Sequence, residues 1–189
     1  MQLHQLFRTR AAVKISDFSE SPMTSARHLI PPQILPRLLG HTDSPSNQQD
    51  QSGITRNLLM GNVDLNIMAV TWNHAREPQS IDFEAMFPDH ERYNIIAFGG
   101  QECGSEKEDE VALIQSYLGK DYIKIDFVGK GEIFLVVFVR DYDCRFLRDV
   151  CKNYIMKDML GYGWKGGVMI QFTLYNTIFS FVNCHLESG

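Results

Sequence analysis

The middle of the chain contains the stretch Asn94-Ile95-Ile96-Ala97-Phe98-Gly99-Gly100-Gln101-Glu102. Its first half is a short, continuous apolar run, and such a run bounded by turn-forming residues is typical of a strand buried on both faces. We therefore predict a buried strand over residues 94–98 that ends in a tight turn at the two glycines. The polar pair Gln101-Glu102 follows directly after that strand.

Similar patterns on both sides of this run predict further strands and one helix. Leu65, Ile67 and Ala69 alternate with outward positions, which predicts a strand over residues 63–71. Residues 105–118 predict a helix with Ser105 as its N-cap, acidic residues in its first turns and Gly119 at its end. Further strands are predicted over residues 122–128, 133–139, 168–175 and 177–186, whereas residues 145–157 fit neither pattern. This order predicts a layered α/β or α+β domain.

The first third of the chain has a different composition. Residues 1–61 show little periodicity, and residues 41–53 are polar and rich in turn formers, which predicts a disordered linker. Residues 29–36 are apolar but contain three prolines, so they are either an extended docking motif or part of a tail without a function. We therefore expect a low-order tail over 1–61 and a folded domain over 62–189.

Charge and cysteine content limit the class of function. The net charge is -5, with 18 basic and 23 acidic residues, so we expect no nucleic-acid partner. A phosphate substrate remains compatible with this charge, because a bound metal ion supplies positive charge locally. The four cysteines form no Cys-x-x-Cys pair and no secretory signal or long apolar run is found, which favours a reduced, cytoplasmic protein.

Polar residues close several of the predicted strands. Asn73, Glu102 and the pair Asn183 and His185 each follow or end an apolar run, and strand ends in such sheets meet at one edge. Amide and carboxylate oxygens suit Mg²⁺, and a histidine nearby could donate to a phosphate oxygen or transfer a proton. Singly, each residue also fits a plain structural role. Together with Lys165 in its glycine-rich loop, they indicate metal-assisted phosphate ester chemistry.

Four motifs occur in a fixed order along the chain. They are Thr71-Trp72-Asn73, Gly100-Gln101-Glu102, Gly163-Trp164-Lys165-Gly166-Gly167-Val168 and Phe181-Val182-Asn183-Cys184-His185-Leu186-Glu187-Ser188-Gly189. This set resembles the inositol-polyphosphate 5-phosphatases, within the endonuclease/exonuclease/phosphatase superfamily. The first two motifs occur across that superfamily, and the last two are more specific to the 5-phosphatases. The resemblance covers residues 63–189.

The resemblance implies a fold, a reaction and roles for the candidate residues. The fold would be a partial four-layer α/β/β/α sandwich, and the reaction Mg²⁺-dependent removal of the 5-phosphate from phosphoinositides or soluble inositol polyphosphates. A lipid substrate would also imply peripheral contact with membrane surfaces. By motif, Glu102 resembles the metal-binding glutamate, Asn73 the asparagine beside metal and scissile phosphate, and His185 the histidine on that phosphate. Asn183 would support the strand end, and Lys165 would contact substrate.

The sequence departs from the family in three places. His74-Ala75-Arg76-Glu77 stands where the family usually has an Asn-Gly pair, and Trp164 replaces an asparagine. The family's Gly-Asp-x-Asn and Ser-Asp-His motifs lie downstream of the His-Leu motif, beyond Gly189. We therefore expect the N-terminal part of a catalytic domain, inactive alone and with its second sheet largely missing. The alternatives are a superfamily phosphodiesterase or nuclease, and a non-catalytic interaction module.

Overall fold

The computed structural model describes residues 6–15, 63–76, 82–157 and 165–186. Within these ranges the chain forms two β-sheets with helices on one side. The strands are β1 (Leu6–Ile15), β2 (Val63–Asn73), β3 (Ile95–Gln101), β4 (Tyr122–Lys130), β5 (Ile133–Arg140), β6 (Leu147–Lys157), β7 (Lys165–Leu174) and β8 (Thr177–His185), and the helices are α1 (Phe83–Met86) and α2 (Lys107–Leu118). Short 3₁₀ turns cover His90–Arg92 and Asp141–Phe146.

The first sheet has the strand order β1-β2-β3-β5-β4. β2 and β3 run parallel, and the other neighbours are antiparallel. β3 and β5 lie in the middle of this sheet and are buried on both faces, which explains why both strands are almost continuously apolar. The prediction of a buried strand after Asn94 is confirmed. The predicted tight turn at the two glycines is wrong, because Gly99 and Gly100 lie within β3.

The second sheet has the order β6-β7-β8, is antiparallel throughout and packs face to face on the first. Residues 147–157, which fitted neither pattern, form β6, because most of that strand is exposed and lacks an apolar signature. The expectation of a largely missing second sheet is wrong. Three paired strands are present, and the inward positions of β7 join the core between the sheets: Val168, Ile170, Phe172 and Leu174.

A second core fills the space between the first sheet and the helices. Val111, Ile114 and Leu118 of α2 pack on the opposite face of β2, β3 and β5. Burying a side chain of this size contributes about 1.5–3 kcal/mol. The layered α/β sandwich is therefore confirmed, with three layers formed by the described residues. The outer face of the second sheet presents Ile178 and Val182 to solvent.

Two local details differ from the sequence prediction. Residues 6–15, expected to lie in the low-order tail, form β1, which pairs antiparallel with β2 along its full length. Arg8 and Arg10 are exposed on this edge strand, and charged residues on an edge strand hide the apolar alternation that sequence patterns depend on. The rest of 1–61, including the predicted linker and proline-rich segment, lies outside the described residues. Helix α2 begins at Lys107 with Glu106 at its N-cap, one residue after the predicted N-cap Ser105.

No helix in the described ranges is long and apolar enough to cross a membrane. The four cysteines are free, with Cys103 and Cys144 buried and Cys151 and Cys184 exposed.

Gly99 provides the space through which the two sheets meet. A Cβ at this position would lie 2.6 Å from Cγ of Asn183, which comes from β8 in the other sheet. The Asn183 side chain is buried and cannot move outward without leaving its hydrogen bonds. The glycine is therefore required for close approach and not for a turn.

We expect Gly99→Ala to lower the free energy of unfolding by about 1–3 kcal/mol, because overpacking displaces a buried amide. Urea denaturation measures this change. Gly104→Ala is the matched control, since a Cβ there meets no atom within 4 Å. Equal stability of the two variants would contradict the close packing described here.

Candidate functional site

Four strands bring polar side chains to one edge of the sandwich. Asn73 at the end of β2 lies in register with Gln101 at the end of β3, and Glu102 follows. In β8 the alternate residues Asn183 and His185 face the first sheet, and the register of β7 and β8 places His185 opposite the residue after Lys165. The structure thus collects at one edge every candidate residue named from the sequence.

Direct contacts connect four of these side chains. Nδ2 of Asn73 donates to Oε1 of Glu102 at 3.2 Å, and Nε2 of His185 lies 3.4 Å from the same oxygen. Nζ of Lys165 lies 2.6 Å from Nε2 of His185. The Glu102 side chain is 28% exposed and that of His185 is 12% exposed, so a solute can reach the carboxylate.

The distances around His185 indicate which group donates. Lys165 and Glu102 both approach Nε2, and a single tautomer can pair with only one of them. The short distance favours Lys165 as the donor to Nε2 of His185, because 3.4 Å to Glu102 is long for a hydrogen bond. An anion that enters the site could therefore accept a hydrogen bond directly from the ammonium group of Lys165. A change of tautomer at His185 would then offer an N–H to the same anion.

A strained turn after β2 fixes Asn73. Its Oδ1 accepts from the backbone N–H of Ala75 at 2.8 Å, and the N–H of Arg76 donates to the carbonyl of Glu102 at 3.1 Å. Ala75, Arg76 and Glu102 have φ values of 53°, 59° and 53°, and this left-handed conformation costs about 1 kcal/mol or more for each such residue. The Arg76 guanidinium adds an ion pair to Glu132 at 2.9 Å. These bonds hold the amide of Asn73 toward Glu102.

Asn183 is committed to the scaffold. Its Nδ2 donates to the carbonyls of Gly100 and Phe134 at 2.9 and 2.7 Å, and its Oδ1 accepts from Nε2 of Gln101 at 2.5 Å. Gln101 also donates to Oγ1 of Thr71 at 2.6 Å. Gln101 was not among the candidate residues, although its position beside Glu102 was a usable signal. The side-chain amides of Asn183 and Gln101 therefore hold the strand ends in place and lie on the buried side of the site.

The pair His74 and Glu110 lies behind the site and was missed by sequence reasoning. Nε2 of His74 lies 3.4 Å from Oε1 of Glu110, and both side chains are nearly buried. The centres of the His74 and Trp72 rings lie 4.2 Å apart, with the ring planes tilted by 35°. Burial raises the pKa of Glu110 to about 7. Nothing in the sequence links these two residues, because one follows a strand and the other lies in a helix.

The donor set at this edge fits Mg²⁺. Glu102 supplies a carboxylate, and Oδ1 of Asn73 has a second lone pair besides the one used by Ala75. Mg²⁺ is commonly held by one or two protein oxygens and keeps several waters. Among the described residues no three His, Cys, Asp or Glu side chains are grouped to hold a metal, as a structural zinc centre would need. Gly163 and Trp164 of the lysine loop lie outside the described residues.

Comparisons with known proteins agree with the motifs. Residues 70–189 match the family described as Endonuclease/Exonuclease/phosphatase family 2. The chain is 26% identical over 129 residues to phosphatidylinositol polyphosphate 5-phosphatase type IV of Homo sapiens. It is 27% identical over 139 residues to the phosphatidylinositol 4,5-bisphosphate 5-phosphatase A of the same species. Both matches cover 65% of this chain but 20% and 14% of the relatives, so it spans about a fifth or less of their length.

Solved structures share the fold. The inositol polyphosphate 5-phosphatase domain of SPsynaptojanin, in complex with inositol (1,4)-bisphosphate and calcium, has a TM-score of 0.56 at 20% identity, covering 65% of this chain and 40% of that one. A Cimex nitrophorin in its ferrous NO complex has a TM-score of 0.56 at 22% identity, covering 65% and 47%. At these identities the two structures show the fold alone. The resemblance predicted from the motifs is confirmed by the family match and the curated relatives.

The pKa of Glu110 predicts a pH-dependent stability. The pKa of Glu110 in the folded protein is raised from 4.5 to about 7. The favourable contribution of its protonated carboxyl group to folding stability is therefore complete below about pH 4.5 and is lost as pH rises toward 7. We expect the wild type to lose up to about 3 kcal/mol between these limits relative to Glu110→Gln. Urea denaturation of both proteins at pH 5 and pH 8 measures the difference. Parallel pH profiles would contradict a buried, perturbed carboxyl group.

Proposed function

The chain belongs to the endonuclease/exonuclease/phosphatase family 2, and we propose that its site removes the 5-phosphate from phosphoinositides or inositol polyphosphates. The activity of the whole protein is part of this proposal, since the curated relatives are much longer. The contact chain from Asn73 through Glu102 and His185 to Lys165 carries it. These contacts bring oxygen atoms that can bind a metal next to nitrogen atoms that can hydrogen-bond a phosphate, at one partly exposed edge of the sandwich.

The residues divide into a metal side and a phosphate side. Glu102 and Asn73 would hold Mg²⁺, which when bound would neutralise charge on a phosphate oxygen. Lys165 and His185 would bind the scissile phosphate from the other side with an ammonium and an imidazole N–H. Asn183 would keep the two sides at a fixed separation through its bonds to β3 and β5.

The names of the curated relatives support an inositide over another phosphate ester. Both are phosphatidylinositol 5-phosphatases, and the solved phosphatase domain with the shared fold contains inositol (1,4)-bisphosphate. Calcium in that domain agrees with a divalent cation site. The net charge of -5 also disfavours a polyanionic nucleic acid.

Exposed apolar and basic side chains on both faces of β6 near the site support a substrate presented by a membrane. Tyr154 and Ile155 are 52% and 77% exposed, and Nζ of Lys130 lies 5.0 Å from the centre of the Tyr154 ring. Lys157 is exposed and is paired in register with Lys165 of the site. Exposed aromatic and aliphatic side chains among lysines suit the interface of an anionic bilayer. The free thiols fit a cytoplasmic location.

The central test is phosphate release by the full-length product of the gene that encodes this chain. We expect Mg²⁺-dependent release from phosphatidylinositol 4,5-bisphosphate or inositol trisphosphate, and a loss on the order of 100-fold in kcat for Glu102→Gln, because the metal loses its carboxylate. Malachite-green detection of phosphate gives the rates.

Glu108→Gln is the control, since it removes an exposed glutamate of α2 that makes none of the contacts of the site. The absence of phosphate release from both inositides would contradict the proposed 5-phosphatase activity. Cleavage of abasic DNA with inositides untouched would favour a nuclease of the same superfamily instead.

Membrane docking has its own test. We expect the double variant Tyr154→Ser and Ile155→Ser to bind vesicles of phosphatidylserine and phosphatidylinositol 4,5-bisphosphate about tenfold more weakly, because exposed apolar area is lost. Cosedimentation measures binding. Leu113→Ser, which removes from α2 an apolar side chain about as exposed as Tyr154, should leave binding unchanged. Equal binding by all three proteins would contradict docking through Tyr154 and Ile155.

A further inference from the structure

The turn that carries Asn73 is anchored from the helical side of the first sheet. His74 follows Asn73 directly, and its backbone N–H donates to the carbonyl of Gln101 at 2.8 Å. Its ring lies between Trp72 at 4.2 Å and Phe134 at 6.4 Å. Glu110 of α2 meets this ring at 3.4 Å. The imidazole therefore connects the end of β2 both to β3 and to the helix.

Helix α2 is also tied to the other metal-side residue. It follows Glu102 after a short connection in which Nζ of Lys107 donates to the carbonyl of Gly104 at 2.6 Å. The N–H of Cys103 donates to the carbonyl of Glu132 at 3.1 Å, which fixes the backbone next to Glu102. The contact between His74 and Glu110 thus links the backbone at Asn73, through α2, back to the backbone at Glu102.

We propose that His74 and Glu110 are a positioning pair that sets the separation of Asn73 and Glu102 and thereby the metal affinity of the site. This inference rests on the proposed function, because it concerns the metal side of that site. Neither residue touches metal or substrate in this account. They act through the backbone of β2 and through the start of α2.

Stability alone does not explain the pair. A buried carboxyl group beside an imidazole is costly to desolvate, and apolar residues of similar volume often stabilise a core equally or better. The perturbed pKa of Glu110 reflects that cost. A polar pair at this place is understandable if its electrostatic attraction orients the turn, since Nε2 of His74 and Oε1 of Glu110 lie 3.4 Å apart in a nearly buried setting.

The experiment separates the two effects by replacing Glu110 with residues of similar length. Glu110→Met keeps the volume and removes the polar contact, whereas Glu110→Gln keeps an acceptor for His74. We expect Glu110→Met to weaken Mn²⁺ binding about tenfold, as changes behind metal ligands commonly do, with stability unchanged or increased. Glu110→Gln should bind nearly as the wild type does. Isothermal titration calorimetry with Mn²⁺ and urea denaturation give the two readouts.

Two controls distinguish the failure of this inference from that of the proposed function. Glu108→Met, on the exposed side of α2, should match the wild type, and Glu102→Gln should abolish binding. A wild type that binds no Mn²⁺ would overturn both the metal site and the pair. A second outcome is that the wild type binds Mn²⁺ and Glu102→Gln does not, which supports the metal site. If Glu110→Met then binds Mn²⁺ as tightly as the wild type, only the role of the His74 and Glu110 pair is disproved.

A measurement on the unaltered chain covers the case in which Glu110→Met does not fold. If the pair is coupled to the metal, saturating Mg²⁺ will shift the side-chain carboxyl ¹³C resonance of Glu110 but not that of Glu108. Unchanged resonances for both would overturn the inference.

Discussion

The buried amide of Asn183 is the interaction on which the arrangement of the site depends. It crosses from β8 to donate to two carbonyls of the first sheet and to accept from Gln101. Each of these bonds replaces a bond to water, and a buried amide without partners would cost several kcal/mol. The two sheets therefore have one preferred alignment. Since His185 lies two residues further on the same face of β8, this alignment also sets where its ring meets Glu102.

Strained backbone surrounds the metal side of the site, although positive φ also occurs at Asp89, Asp149 and Tyr175. Non-glycine residues with positive φ occur before and after the metal side, at Ala75, Arg76 and Glu102, and each is held by hydrogen bonds to a neighbouring strand or turn. The opposite edge is different. There Asp143 is buried and accepts from Tyr175 and Asn94, so its carboxyl group is fully used within the core. The polar groups at the two edges therefore differ in accessibility: those at the site can be reached by a solute, whereas the carboxyl group of Asp143 is buried.

Sequence patterns were sufficient for much of the fold because β3 and β5 are buried on both faces and α2 shows its apolar side clearly. They failed where exposure removes the pattern, as in β6, and where charges mark an edge, as in β1. Asn73, Glu102 and His185 could be named because polar residues closing apolar strands are visible in a sequence. His74 and Glu110 could not, because a contact between a strand end and a helix depends on packing.

Paramagnetic mapping with Mn²⁺, a probe for Mg²⁺, tests most directly whether the strand ends form a metal and phosphate site. In ¹⁵N-resolved spectra of the chain, we expect the resonances of Asn73, Glu102 and His185 to broaden first, with those of Asn94 and Asp143 at the far edge unaffected. Adding inorganic phosphate should then shift the resonances of Lys165. Broadening along the acidic surface of α2 with Asn73 and His185 unchanged would contradict a metal site at the strand ends.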